Sequence, residues 1–192
     1  MSNEGPLLFG LAGLPSVFSR CFLVWSLAEL GGFPEGSVRG QEAIHIAEQA
    51  DHPYSLAMAR FTTGYLHLRK GEFDRAVALI EAGLGLCRAV EMPALLTQLL
   101  ATLGYARVLQ GRFVEGQSLL EESLEPSTFS RSAPFSFPRL FLGEAAFLAR
   151  KDPEAAQTAE RALDQARGRG ERGWEAWALR LLGEIARASR TP

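Results

Sequence analysis

The chain repeats itself at an interval of about 40 residues, and that leaves it few folds to adopt. Residues 61–84 read FTTGYLHLRKGEFDRAVALIEAGL and residues 101–124 read ATLGYARVLQGRFVEGQSLLEESL. They agree at Gly64/Gly104, Tyr65/Tyr105, Gly71/Gly111 and Phe73/Phe113, and Pro53 and Pro93 precede them at the same offset. A looser first copy aligns Gly31-Gly32-Phe33 with Gly71-Glu72-Phe73 and puts Val24 where the others have glycine. A fourth holds Leu142-Gly143, with Arg150-Lys151-Asp152-Pro153 in place of the turn glycine, and Leu182-Gly183 opens a fifth that has only its first half. A fixed period of this size is the signature of a repeat architecture, in which each unit buries its apolar face against the next.

Each copy reads as a pair of helices. Ala76, Leu79, Ile80, Gly83, Leu84 and Cys87 follow the spacing of one helix face, as do Leu96, Leu99, Leu100 and Leu103. Gly71 and Gly111 close the first helices, since glycine takes the left-handed position past a helix end without strain. Asp152-Pro153 reads as an N-cap with proline at the first helical position. No run alternates in the manner of a strand. Residues 126–138, rich in Ser, Pro and Phe, read as the one long loop between repeats. Cys21 and Cys87 fall within apolar helical patterns and are expected as buried free thiols.

The Leu-Gly, turn Gly-x-Phe, Ala-x-x-x-hydrophobic-x-x-small order, held in the second copy by Thr63-Gly64, Phe73, Ala76, Ile80 and Gly83, resembles the tetratricopeptide (TPR) repeat. The resemblance runs from about residue 16 to 188. It departs in having His67 or Arg107 where an aromatic is usual, and a period near 40 instead of about 34. The longer period, with segments such as Gly13-Leu-Pro-Ser, Leu27-Ala-Glu-Leu-Gly and Asp51-His-Pro-Tyr-Ser, is similar to the TPR arrays at the C-terminal ends of bacterial adenylate/guanylate cyclases with an AAA-type ATPase module and of MalT/LuxR-type regulators. The resemblance implies an all-α fold, a right-handed α-solenoid of antiparallel helical hairpins. It would form one domain over residues 1–192, with repeats at about 16–53, 54–93, 94–133 and 134–173 and a closing helix at 174–188.

The residue after the repeat glycine is Trp25, Tyr65, Tyr105, Glu144 and Glu184 in successive copies. In TPR proteins this position faces a concave groove, so the resemblance implies a partner-binding surface made of Trp25, Phe61, Tyr65, Arg69, Gln98, Ala101, Tyr105, Glu144, Trp177, Arg180 and Glu184. On that reading the rings anchor a peptide or protein, and the two acids extend the line with negative charge. The competing reading has the same rings packing between adjacent first helices. The expected function is protein–protein interaction in bacterial signalling. The alternative is an oligomerisation or spacer element associating through its ends, where residues 5–14 are apolar.

Little else carries chemistry. Gly168, Gly170 and Gly173 match the dinucleotide fingerprint by letter, but a helix is expected before them where the fingerprint needs a strand. His45, His52 and His67 show no metal-ligand spacing, and neither cysteine has a nearby histidine and orienting acid. No catalysis, cofactor or metal is therefore expected. A net charge of −2 and a pI near 6.0 supply no basic face for nucleic acid. The seven arginines against four acids within 161–190 read as a solvated face. Prolines and glycines break the uncharged stretch from Gly5 to Ser19, so no membrane span is expected, and the N-terminus lacks a signal peptide's positive region. A cytoplasmic location follows from these, and 18 Arg to 2 Lys suit a GC-rich bacterial gene.

Overall fold

The computed structural model describes residues 13–90, 92–125 and 136–189. Among them every regular element is helical: α1 (Pro15–Leu30), α2 (Phe33–Gln49), α3 (Pro53–Lys70), α4 (Phe73–Ala89), α5 (Pro93–Leu109), α6 (Phe113–Leu124), α7 (Phe137–Leu148), α8 (Asp152–Arg169) and α9 (Arg172–Ala188). The chain divides into two compact units, Met1–Leu95 and Leu96–Pro192.

Turn chemistry sets the hairpins. Gly31, Gly71 and Gly111 follow α1, α3 and α5 with φ of 76°, 86° and 81°, the left-handed conformation that costs glycine nothing. Arg150 takes the same conformation after α7, with φ of 60°, and carries the side-chain strain that glycine avoids. Prolines stand in the first turn of α1, α2, α3, α7 and α8, where no intrahelical donor is lost. Two boundaries differ from the sequence reading. Phe137 and Pro138 belong to the first turn of α7, because proline opens a helix as readily as it extends a loop. Lys151 is the cap of α8, and Asp152 lies one place inside, where its charge still meets the helix N-terminus.

In the first unit α1, α2 and α3 pack on one another and α4 packs on α3. The helix with neighbours on most sides is α3. Residues 61–68 are buried without a break, so its apolar positions are not confined to one face. The hydroxyls of Thr62 and Thr63 return to the backbone, Thr63 donating to Ala59 O at 2.7 Å, which lets them lie in the core. Burying a side chain such as Phe61 contributes about 1.5–3 kcal/mol. In the second unit α6 packs on α7, and α7, α8 and α9 share a core of Leu140, Ala155, Ala159, Ala162, Ala178, Leu181 and Ile185. Cys21 and Cys87 are buried free thiols, and burial pushes them up to about 11 and about 12.

Candidate partner-binding surface

The side chains expected in a groove gather into one cluster in each unit. In the first, the Trp25 ring on α1 stands 5.4 Å from the Phe61 ring, edge to face, and 5.4 Å from the Tyr65 ring on α3. Phe61 and Tyr65 are fully buried and Trp25 is half-buried. The Tyr65 hydroxyl donates to Glu29, one turn beyond Trp25, and Arg69, one turn beyond Tyr65, lies 3.6 Å from the other oxygen of that carboxylate. Rings and ion pair thus climb the same two helices side by side.

In the second unit Tyr105 on α5 is half-buried and stacks on Phe141 at 4.4 Å. Phe137, Phe141 and Trp174 continue the aromatic contact across α7 to α9. The Tyr105 hydroxyl donates to Glu144 Oε2 at 2.9 Å. Arg180 donates to Glu144 and, at 2.5 Å, to Glu184, while its guanidinium sits 4.5 Å from the centre of the Trp177 ring. The two acids therefore share one arginine, which stacks on an indole. Gln98 and Ala101 are buried on α5.

Four contributors are not among the residues expected from the repeat: Glu29, Phe137, Phe141 and Trp174. Glu29 had a signal, because it stands 40 residues before Arg69 and puts opposite charges at one repeat position. Trp174 is supplied by tertiary packing, since no aromatic ring recurs at its repeat position, whereas Phe137 and Phe141 stand where the first copy has Phe18 and Phe22.

The remaining candidates are accounted for by local structure. Gly170, with φ of 71°, ends α8, so the glycine triplet spans a helix-to-helix turn with a helix before it. His45 is exposed on α2, and His52 caps α3 by accepting from Ser55 N at 3.3 Å. His67 is buried with Nδ1 2.7 Å from Glu72. That carboxylate also meets Lys70 at 2.5 Å, and hydrogen bonds from Lys70 and then His67 hold it down at about 2. Among the described residues no group of three His, Cys, Asp or Glu is placed to hold a metal ion, and no helix is long and apolar enough to cross a membrane. The apolar start at residues 5–12 and the segment 126–135 lie outside the described residues.

No family model and no curated protein matches the chain. Solved structures do. The nearly identical TPR-like repeats named for a Podosopora anserina kinesin light chain superpose with a TM-score of 0.61 at 18% identity, over 91% of this chain and 87% of that one. A Rap protein complexed with Competence and Sporulation Factor gives a TM-score of 0.61 at 13% identity, over 94% of this chain and 55% of that one. The apo form of RapI gives 0.51 at 14% identity, over 89% and 52%. The chain spans about half the length of these Rap proteins. At such identities the likeness is one of fold, and the chain has the all-α fold of the TPR-like helical repeats.

Proposed function

We propose that the chain is a protein-interaction scaffold that holds a peptide or protein partner against the exposed edges of its first helices. The observation that carries this reading is the half-exposed cluster of Tyr105, Glu144, Trp177, Arg180 and Glu184. Tryptophan, tyrosine and arginine are the residue types that dominate interface energies. Here mutual hydrogen bonds already fix their side chains, so a partner meets a surface that loses little further freedom on binding. A Rap protein of like fold complexed with Competence and Sporulation Factor supports the idea that such a fold serves binding. In the first unit the exposed part of Trp25, with Glu29 and Arg69, offers the same combination of ring and paired charge.

The finer placement is a regulatory module of bacterial signalling in the cytoplasm, in the manner of the cyclase and MalT/LuxR arrays whose segments the chain resembles. Two buried free thiols suit a reducing compartment.

One observation favours a second reading, an oligomerisation or spacer element. On α1, Phe22, Leu23 and Leu30 are exposed together with Ser19 and Ser26, an uncharged helix face. Sedimentation equilibrium of the full chain separates the two readings. The scaffold predicts a monomer at micromolar concentration. A dimer that reverts to monomer on Phe22→Asp supports the spacer and overturns the scaffold as the primary role.

A further inference from the structure

The fourth hairpin places two arginines where the first places an arginine and an acid. Arg20 stands four residues before Val24 on α1, and Arg139 stands four before Gly143 on α7, the same repeat position. Glu42 is nine residues on from the start of α2 at Phe33, and Arg161 is nine on from the start of α8 at Asp152. In the first hairpin the two positions meet: Arg20 Nε donates to Glu42 Oε2 at 3.2 Å, and Arg39 donates to the same carboxylate at 3.0 Å. Hydrogen bonds from Arg39 and then Arg20 hold the Glu42 carboxyl below the usual carboxylate range. The second and third copies hold Arg60 with Ala82 and Leu100 with Glu122 at these positions, so none of the first three opposes cation to cation.

In the fourth hairpin a guanidinium stands in place of that carboxylate. Arg139 Nε donates to Gln165 Oε1 at 3.3 Å, and Arg161 precedes Gln165 by one turn on the same face of α8. Gln165 therefore holds the half-buried Arg139 beside the exposed Arg161. Burial, and then the charge of Arg161, press the Arg139 guanidinium below the usual arginine value. Among the described residues neither arginine has a carboxylate within ion-pair distance. Glu160 and Asp164 of α8 are exposed and pair with neither. The arginines nearby are matched: Arg167 meets Glu175 at 3.0 Å, Arg169 lies 3.9 Å from Glu171, and Arg180 is shared by Glu144 and Glu184.

We infer that Arg139 and Arg161 form an oxyanion site, which takes a phosphate monoester where the first hairpin has the carboxylate of Glu42. The first hairpin shows that this pair of repeat positions brings an oxyanion within hydrogen-bond reach of arginine. Charge selects phosphate over a single carboxylate. Two guanidiniums without an acid carry two positive charges, and a phosphate dianion matches both. In the first hairpin the count is already even, because Arg39 also lies 3.8 Å from Glu35 and two acids meet two arginines. The donors agree as well. Arginine forks bind phosphate oxygens in pairs, and Gln165, whose Oε1 accepts from Arg139, has its amide nitrogen left to donate. Arg139 and Glu144 stand five residues apart and so point to different sides of α7. The site is thus separate from the cluster of the proposed function, and either can fail without the other.

The test follows the arginine Nε–Hε resonances of the isotope-labelled full chain at fixed ionic strength and about pH 8, where phosphate is a dianion. Inorganic phosphate, a Gly-phosphoserine-Gly peptide and acetate are titrated in turn. The expected result is saturable shifts at Arg139 and Arg161 with both phosphates, at least about tenfold tighter than with acetate. Arg161→Glu rebuilds the pairing of Arg20 with Glu42 inside the fourth hairpin. It should abolish phosphate binding, raise the thermal midpoint and leave the helical circular dichroism unchanged. Arg139→Gln should weaken phosphate binding at least about tenfold. Tighter binding of the peptide than of inorganic phosphate assigns the site to a phosphorylated protein, and equal affinity assigns it to a free phosphate ester. Shifts that rise without saturation, acetate binding as tight as phosphate, or phosphate binding indifferent to Arg161→Glu overturn the inference.

Discussion

At Gly104 the separation of two helices is set by a missing side chain. Gly116 of α6 approaches it so closely that each glycine's absent Cβ would strike the other's carbonyl, at 2.7 and 2.6 Å. A carbonyl cannot rotate away as a side chain can. Gly104→Leu is therefore expected to destabilise by about 3 kcal/mol, at the upper end for overpacking. At Gly183 the same substitution meets open space, and replacing glycine in an exposed helix should stabilise by up to about 1 kcal/mol. Urea midpoints of the two variants check this, and equal shifts in one direction would refute the register. The position of both glycines was legible from the 40-residue offset. Gly116 as the opposing partner was not, because nothing in a linear repeat tells which residues of two helices meet.

Glu72 gives a second residue-scale expectation. Lys70 and His67 hold its carboxyl at about 2, below the usual 4.5. A carboxylate depressed on folding adds stability that is complete above the unfolded value and vanishes as pH falls through the folded one. The advantage of the wild type over Glu72→Gln should thus be present above about pH 4.5. It should then shrink between about pH 4.5 and 2. A difference between the two that does not change over that window would show that the carboxylate is not held by these partners.

Among the elements, the turn after α7 departs from its siblings. Gly31, Gly71 and Gly111 occupy the left-handed position in the first three hairpins, and Arg150 does so in the fourth. A left-handed non-glycine residue costs roughly 1–2 kcal/mol, part of which glycine gives back as greater freedom of the unfolded chain. Arg150→Gly should raise stability by about 0.5–1 kcal/mol, read as a rise in the thermal midpoint without change in helix content. A fall would mean that the arginine side chain holds the turn by contacts of its own. The sequence showed the replacement of the glycine but not the persistence of its conformation. Helix starts were harder. Phe137-Pro138 suits a loop or a first turn equally, and only the packing of Phe137 on Phe141 and Trp174 decides for the helix. Element identity was otherwise well marked, because period-40 recurrence adds to local helical spacing and each supports the other. The apolar run of α3 is legible as helix for this reason alone, since its burial on most sides removes the amphipathic pattern.

For the molecule as a whole, the repeat dictates hairpins, and hairpins stacked at one interval bring equivalent positions of neighbouring first helices together. That is how Trp25 reaches Tyr65 in the first unit and Tyr105 reaches Glu144 in the second. The recurrence of the position was in the sequence. The sharing of Arg180 between Glu144 and Glu184, and the cover that Phe141 gives Tyr105, come from side-chain packing that periodicity does not encode. The central claim is that this cluster is a place where a partner binds. Its most direct measurement is calorimetric titration of a peptide selected on the folded chain from a random library, into wild type, Trp177→Ala, Glu144→Gln and His45→Ala. Trp177→Ala and Glu144→Gln are each expected to weaken binding by about tenfold or more, while His45→Ala, on the exposed face of α2, leaves it unchanged. Equal affinity for all four proteins would contradict the claim.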